Sequence, residues 1–259
     1  MGLVDGRVVL VVGGTAGLGA GIAKAAAQAG AEGVAVTGRR AGKGAAVAAR
    51  LEALGAAALF VEGDVASTDD AKAMVAQTIS RFGRIDCLVN AAGITTRGSL
   101  LETTPELFDQ HIAINLRGPF FTMQAAVADM VGRGAPGTIA NIITMSAHGG
   151  QPFLTPYSAS KAGLIGLTKN AAYAHRWDKI RINGINIGWT QTEGEDAIQR
   201  QFHGAGDDWV EQASATLPMG KLGQVDEIAE FVVFLLSDRS GVVTGSVIDW
   251  DQTIPGAHD

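Results

Sequence analysis

At 259 residues the chain is long enough for one α/β unit with a large core, and 47% hydrophobic against 18% charged residues is ordinary globular composition. A formal charge of −6 with no basic run argues against a nucleic-acid surface. No apolar stretch approaches the roughly 20 residues of a membrane helix, so no membrane partner is expected.

Met1 to Asp5 lack a charged-then-apolar leader pattern. A strand is predicted almost at once, over 7–12, where Val8-Val9-Leu10-Val11-Val12 reads as buried on both faces of a parallel sheet. Gly13-Gly14-Thr15-Ala16-Gly17-Leu18-Gly19 follows, then an Ala-rich helix over 17–29 that Gly30 ends. Strand, glycine turn and helix make a dinucleotide-binding start. Glycines let the backbone approach a pyrophosphate, and the helix N-terminus offers free N–H groups and a positive dipole end. The spacing is G-x-x-x-G-x-G, with Gly13, Gly17 and Gly19, and not the commoner G-x-G-x-x-G.

Further strands are predicted over 33–37, 57–62, 85–90, 137–143, 180–187 and 245–249. Helices are predicted over 41–54, 68–82, 105–132, 156–176 and 225–236, with a lid of mixed helix over 192–216. This alternation predicts a doubly wound parallel sheet in three α/β/α layers, organised as one domain over 1–259. Ligands of such sheets bind outside the carboxyl ends of the strands, at the topological switch point. The second strand ends in Gly38-Arg39-Arg40. A reader of the ribose 2′-hydroxyl carries an acid at this strand end. Here two guanidinium groups suit a 2′-phosphate instead, which favours NADP over NAD.

Cys87 is the single cysteine, in the apolar run Ile85-Asp86-Cys87-Leu88-Val89, so it is expected to be an inert core thiol. The five His residues form no ligand cluster, and no metal is expected. These features suit a cytoplasmic enzyme. Tyr157 and Lys161 stand four residues apart, so on a helix the phenol and the ammonium share one face. A free phenol titrates near pH ~10, and a nearby cation favours its phenolate. A Tyr tuned in this way can pass a proton to or from an alcohol or carbonyl oxygen.

The glycine spacing joined to Tyr157-x-x-x-Lys161 resembles the short-chain dehydrogenase/reductase family in its compact single-domain subtype, and further matches cover nearly the whole chain. The resemblance implies a Rossmann-like seven-stranded sheet of order 3-2-1-4-5-6-7. Gly13, Thr15, Gly17, Leu18 and Gly19 would form the phosphate loop. Asp64-Val65 resembles the adenine-contacting turn after the third strand. Asn90-Ala91-Ala92-Gly93 resembles the cofactor turn after the fourth. In the catalytic set, Tyr157 would be the acid/base. Lys161 would lower its pKa and hold the nicotinamide ribose, and Asn115 would position Lys161 through a water. The family Ser that polarises the substrate oxygen stands 13 residues before the Tyr, where this chain has Thr144. Thr supplies the same hydroxyl with an extra methyl. Ser146 is the alternative.

Two more departures follow. Asn186-Ile187-Gly188-Trp189 has Ile187 where the family has Pro, with Gly188, Thr190 and Thr192 still expected along the nicotinamide. Val247-Ile248-Asp249-Trp250-Asp251-Gln252-Thr253 stands where many relatives have Val-Asp-Gly-Gly. The lid is polar, dominated by Glu193, Glu195, Asp196, Gln199, Arg200, Gln201, His203, Asp207 and Asp208, which suggests a sugar, polyol or sugar acid. His148, Gln151 and Trp189 are candidate pocket liners. The resulting expectation is an NADP(H)-dependent oxidoreductase interconverting a secondary alcohol and a ketone on such a small molecule. The alternatives are a 3-oxoacyl thioester reductase and a catalytically silent nicotinamide-dinucleotide-binding regulator or scaffold. A homo-oligomer, a tetramer by resemblance, is also expected, with Ala159, Ala162, Gly163 and Gly166 permitting close helix approach.

Overall fold

The computed structural model describes residues 2–256. Seven parallel strands form one sheet: β1 (Val8–Val12), β2 (Gly33–Gly38), β3 (Ala57–Glu62), β4 (Cys87–Asn90), β5 (Gly137–Thr144), β6 (Ile180–Ile187) and β7 (Val247–Trp250). Their order is β3-β2-β1-β4-β5-β6-β7, as expected. The order reverses at β1, which pairs with β2 on one edge and β4 on the other.

The apolar run of β1 is buried on both faces because successive side chains alternate between them. Val9 and Val11 join a core with Ile22, Ala23 and Ala26 of α1 (Gly17–Gln28) and Ile228 and Val232 of α9 (Val225–Leu236). Leu10 and Val12 join the opposite core with Met74 and Val75 of α3 (Thr68–Phe82) and Met123 and Ala126 of α5 (Gly118–Gly132). Each fully buried aliphatic side chain contributes roughly 1.5–3 kcal/mol. The remaining helices are α2 (Ala41–Ala53), α4 (Pro105–Ile112), α6 (Thr155–His175), α7 (Glu193–His203) and α8 (Trp209–Ala215).

Element ends follow local chemistry. The Ser67 hydroxyl accepts from Asp70 N–H at the start of α3, and Gly83 ends it with φ 81°. β4 starts at Cys87 and not at 85, because Ile85 N–H donates to the Asp129 carboxylate (3.2 Å). Cys87 itself is buried, where desolvation pushes its thiol pKa up, as an inert core residue requires. The span predicted as one helix over 105–132 is α4 and α5 joined by a π-helical turn, Ala113–Arg117. One extra residue is wound in there, a feature that often marks functional sites. It carries Asn115.

Asn90 is placed differently from the expectation. Its amide nitrogen donates to Asn141 Oδ1 (2.9 Å), and its oxygen accepts from Thr122 Oγ1 (2.7 Å). Asn141 in turn donates to Thr168 Oγ1 (2.9 Å). The Asn90 side chain therefore closes a buried polar network joining β4, β5, α5 and α6, away from the ligand cavity. A fully satisfied network of this kind rigidifies the sheet beneath the site. Gly19 is also a packing residue: a methyl group there would collide with the Gly13 carbonyl, so this glycine lets α1 close onto the loop.

Candidate active site

A cavity of about 1400 Å³ opens along the carboxyl ends of the strands. That exceeds the roughly 300–1,000 Å³ of a single small-ligand pocket, so it can hold a dinucleotide and a substrate together. One end is the loop between β1 and α1. Gly13 (φ 82°) and Gly17 (φ 51°) take left-handed backbone, and a methyl on Gly13 would meet the Ala92 backbone at 2.6 Å. Thr15, Ala16 and Leu18 line the cavity beside them, as do Asp64, Val65, Ala91, Ala92 and Gly93. This narrow, glycine-lined cradle at a helix N-terminus fits a pyrophosphate.

Three cations surround the end of β2. Arg39 and Arg40 line the cavity, and Lys43, on the first turn of α2, joins them. Lys43 was not singled out from the sequence; its position three residues after Arg40 at a helix start was the available signal. Acids do reach this cluster through the fold. Asp64 stands 3.8 Å from Arg39 and Glu193 3.8 Å from Lys43, both as solvent-exposed pairs. Gly38 is required here because a methyl would meet Thr15 Oγ1 at 2.5 Å.

Below the other end, α6 presents Tyr157 and Lys161 on its buried face, 8% and 4% exposed. The Thr144 hydroxyl at the end of β5 lines the same cavity and pulls the Tyr157 pKa down. Thr144 Oγ1 also accepts from Ser146 N–H (3.2 Å), while Ser146 Oγ donates away to Gln151 Oε1 (2.6 Å). Of the two candidate hydroxyls, Thr144 is the one that acts on the phenol. Lys161 Nζ donates to the Ile142 carbonyl (2.8 Å). Asn115 binds both backbone groups of Ile94 (3.0 and 3.1 Å) and donates to Ser160 Oγ (3.1 Å), so it ties the loop after β4 to α6. A methyl on Gly93 would come to 3.3 Å from Asn115 Oδ1 and 3.5 Å from Lys161 Nζ, so this glycine lets the turn close over both.

The electrostatics differ from the expectation that Lys161 lowers the Tyr157 pKa. Burial dominates. It pushes the phenol up to about 12 and the Lys161 ammonium down to about 8. The Thr144 hydroxyl and the Arg97 charge oppose the rise at Tyr157. Lys161 adds no such opposing pull.

The lid supplies the last wall. Thr192 caps α7 by accepting from Glu195 N–H (3.0 Å), and Thr190 Oγ1 donates to the Gly188 carbonyl (2.9 Å). Both lie along the cavity with Gly188, His148, Gln151 and Trp189. Helical spacing splits the polar lid into two faces. Glu195, Gln199 and His203 line the cavity, whereas Asp196 binds Arg200 (2.9 Å) and Trp209 Nε1 (2.8 Å) on the other side. Trp189 stacks on Trp209 at 6.1 Å and donates its N–H to Glu195 (2.8 Å). His148 Nε2 lies 3.2 Å from Asp249, which also accepts from Asn186 (2.7 Å), so the departing C-terminal segment anchors His148. Arg97, from the loop after β4, enters the cavity beside Glu195 and His203 and was not anticipated.

Comparison with known proteins agrees with this arrangement. The sequence profile of a family described as enoyl-(acyl carrier protein) reductase matches residues 13–252. The chain is 34% identical over 249 residues to an L-rhamnose 1-dehydrogenase (NAD(P)(+)) of Sphingomonas sp. strain SKA58, covering 96% of each chain. It is 35% identical over 188 residues to a 3-oxoacyl-[acyl-carrier-protein] reductase of Thermotoga maritima, covering 73% of each. Among solved structures, a variant actinorhodin polyketide ketoreductase with NADPH superposes with a TM-score of 0.91 at 28% identity, covering 99% of this chain and 100% of that one. A profile spanning nearly all of the sequence, with relatives this similar over most of their length, settles the family: the chain belongs to the short-chain dehydrogenase/reductases, a family of oxidoreductases that use a nicotinamide dinucleotide.

Proposed function

We propose that this protein is an NADP(H)-dependent oxidoreductase that interconverts a secondary alcohol and a ketone on a polyhydroxylated, sugar-like substrate. The observation that carries the reading is the buried Tyr157 phenol, set in one cavity with Thr144, Lys161 and the glycine cradle. The dinucleotide supplies or takes the hydride. The chain moves the proton. In reduction, Tyr157 Oη donates to the substrate oxygen while the Thr144 hydroxyl polarises it; in oxidation Tyr157 Oη receives the alcohol proton. Lys161 brings a positive charge beneath the site, and Asn115 is a positioning residue for the loop and for α6. Gly188, Thr190 and Thr192 flank the nicotinamide end, with the Thr192 hydroxyl proton still free to donate. The neighbouring Gln151 and Trp189, with Glu195 and Gln199, would receive the substrate's hydroxyls.

The hydroxyl assignment has a direct test. Thr144→Ala should lose roughly 10²-fold in kcat, the cost of one donor at a developing oxyanion. Ser146→Ala should change it less than about threefold, since that hydroxyl points to Gln151. Equal losses, or full activity in Thr144→Ala, would refute the assignment.

Arg39, Arg40 and Lys43 support NADP over NAD, and the NADPH of the actinorhodin relative is consistent with that choice. Removing one charge-assisted contact to a 2′-phosphate costs about 1.5–3 kcal/mol, or about 10–100-fold in affinity. Arg39→Ala should weaken NADPH by that factor in a fluorescence titration and leave NADH unchanged. Wild-type protein that binds NADH as tightly as NADPH would sink the preference.

The Thermotoga relative favours a second reading, a 3-oxoacyl thioester reductase. The acidic lid weighs against it, because Glu193, Glu195, Asp207 and Asp208 offer no basic docking face for an acidic carrier. A cytoplasmic homotetramer is part of the proposal. Ala159, Ala162 and Gly166 form an exposed small-residue stripe on α6, whereas Gly163 packs on Leu116 within the chain.

A further inference from the structure

Arg97 carries a charge that the described residues leave without an ion-pair partner. Its loop is pinned in place. Gly98 N–H donates to the Phe153 carbonyl (2.8 Å) and Thr155 N–H to the Gly98 carbonyl (3.0 Å), immediately before Tyr157's helix turn. The pinned loop lays the guanidinium over the Phe153 ring, 5.5 Å from its centroid. Nη1 donates to the Thr95 carbonyl (3.0 Å), and Nη2 lies 3.2 Å from His203 Nε2. Nε is buried with no partner.

This is an expensive arrangement for the chain alone. Burial disfavours the charged form of Arg97, as its lowered pKa records. The Glu195 carboxylate acts on it through space, but Glu195 Oε1 already accepts from Trp189 and Gln199 (2.8 Å each). Arg97 lines the ligand cavity, and a guanidinium with an unpaired N–H there is satisfied by an anion from outside. A carboxylate fits best, because its two oxygens match the planar Nε/Nη edge. The site also shares one cavity with Tyr157. Glu195 accepts hydrogen bonds and repels a second negative charge, so the rest of the molecule should be neutral and hydroxylated.

We propose that Arg97 is the receptor for a substrate carboxylate, and that the substrate is a hydroxy acid or oxo acid whose carboxylate lies a few bonds from the reacting carbon. The proposal rests on the oxidoreductase reading above and narrows its sugar-like substrates to the acids.

Calorimetric titration tests it, with lactate, glycerate and gluconate against their neutral counterparts lactamide, glycerol and glucitol. Each is run on the protein with and without saturating NADP. In the wild type, at least one carboxylate should bind about 10-fold or more tighter than its counterpart. Arg97→Met should reduce that preference to within about twofold and leave NADP affinity unchanged, which also shows that the variant is folded. Arg97→Lys, which keeps a charge but not the fork, should fall between them. Absence of any carboxylate preference in the wild type overturns the proposal, as does a preference that survives in Arg97→Met. Failure of NADP to bind would count against the oxidoreductase reading, while the titrations without nucleotide would still decide the role of Arg97.

Discussion

Tyr157→Phe should lower kcat/KM for ketone reduction by about 10²–10⁴-fold, the contribution of a positioned general acid. NADPH affinity and folding should be unchanged. The ring fills a buried slot, packed edge-on against His111 at 6.3 Å, and Phe retains that contact. Only the phenol hydroxyl, the proton donor, is lost. Steady-state kinetics with a fluorescence titration of NADPH separates the two quantities. A variant that keeps more than about a third of the wild-type kcat would remove Tyr157 from the chemistry.

The second large effect concerns Lys161 and runs in opposite directions for activity and stability. Burial lowers its pKa to about 8, so the folded protein releases this proton well before the unfolded chain does. Activity that depends on the ammonium should therefore fall as pH rises above about 8, by roughly tenfold per unit. Lys161→Met should remove that limb and lower the plateau by about 10²-fold. Stability moves the other way. Between the folded and unfolded pKa values the unfolded state binds more protons, so this group's penalty is full below about pH 8 and relieved as pH climbs toward 10.5. The shift corresponds to about 3 kcal/mol of penalty at neutral pH. Loss of the bond to the Ile142 carbonyl offsets about 1 kcal/mol of the gain. Lys161→Met should thus be more stable than wild type by about 1–3 kcal/mol near pH 7. The difference should shrink by pH ~9.5 in urea unfolding. A variant that is less stable than wild type at neutral pH would contradict this account of the buried charge. The predicted gain in stability would make the site an instance of stability given up for function.

The sheet was legible because its signal is local. Val8 to Val12, short, rich in β-branched residues and stopped by glycines, reads as a strand covered on both faces, and the glycine turn after it fixes what its carboxyl end meets. Side-chain direction was less legible. A motif locates the backbone of Asn90, but the pleat sends its amide into the core, where Thr122 and Asn141 claim it. Thr144 and Ser146 would share a face if β5 continued. The strand stops at Thr144, and the 3₁₀ turn Met145–His148 redirects Ser146 to Gln151. Nothing in Ala113 to Arg117 breaks a helix; the π-helical turn is matched to the Asn115 bonds with Ile94 and Ser160, partners 21 and 45 residues away. Lys43 and Arg97 escaped notice because their meaning comes from neighbours distant in sequence, Glu193 and Phe153. The lid was read correctly as polar, but only the folded helix shows which of its residues face the cavity.

The most direct test of the central claim follows nicotinamide absorbance while wild type and Tyr157→Phe are offered hydroxy acids, sugars and polyols with NADP and with NAD, and a 3-oxoacyl thioester with the reduced forms. The account predicts turnover of a hydroxylated small molecule with NADP by the wild type, and its loss in Tyr157→Phe. Turnover of the thioester alone, or tight NADPH binding with no turnover of any substrate, would contradict it.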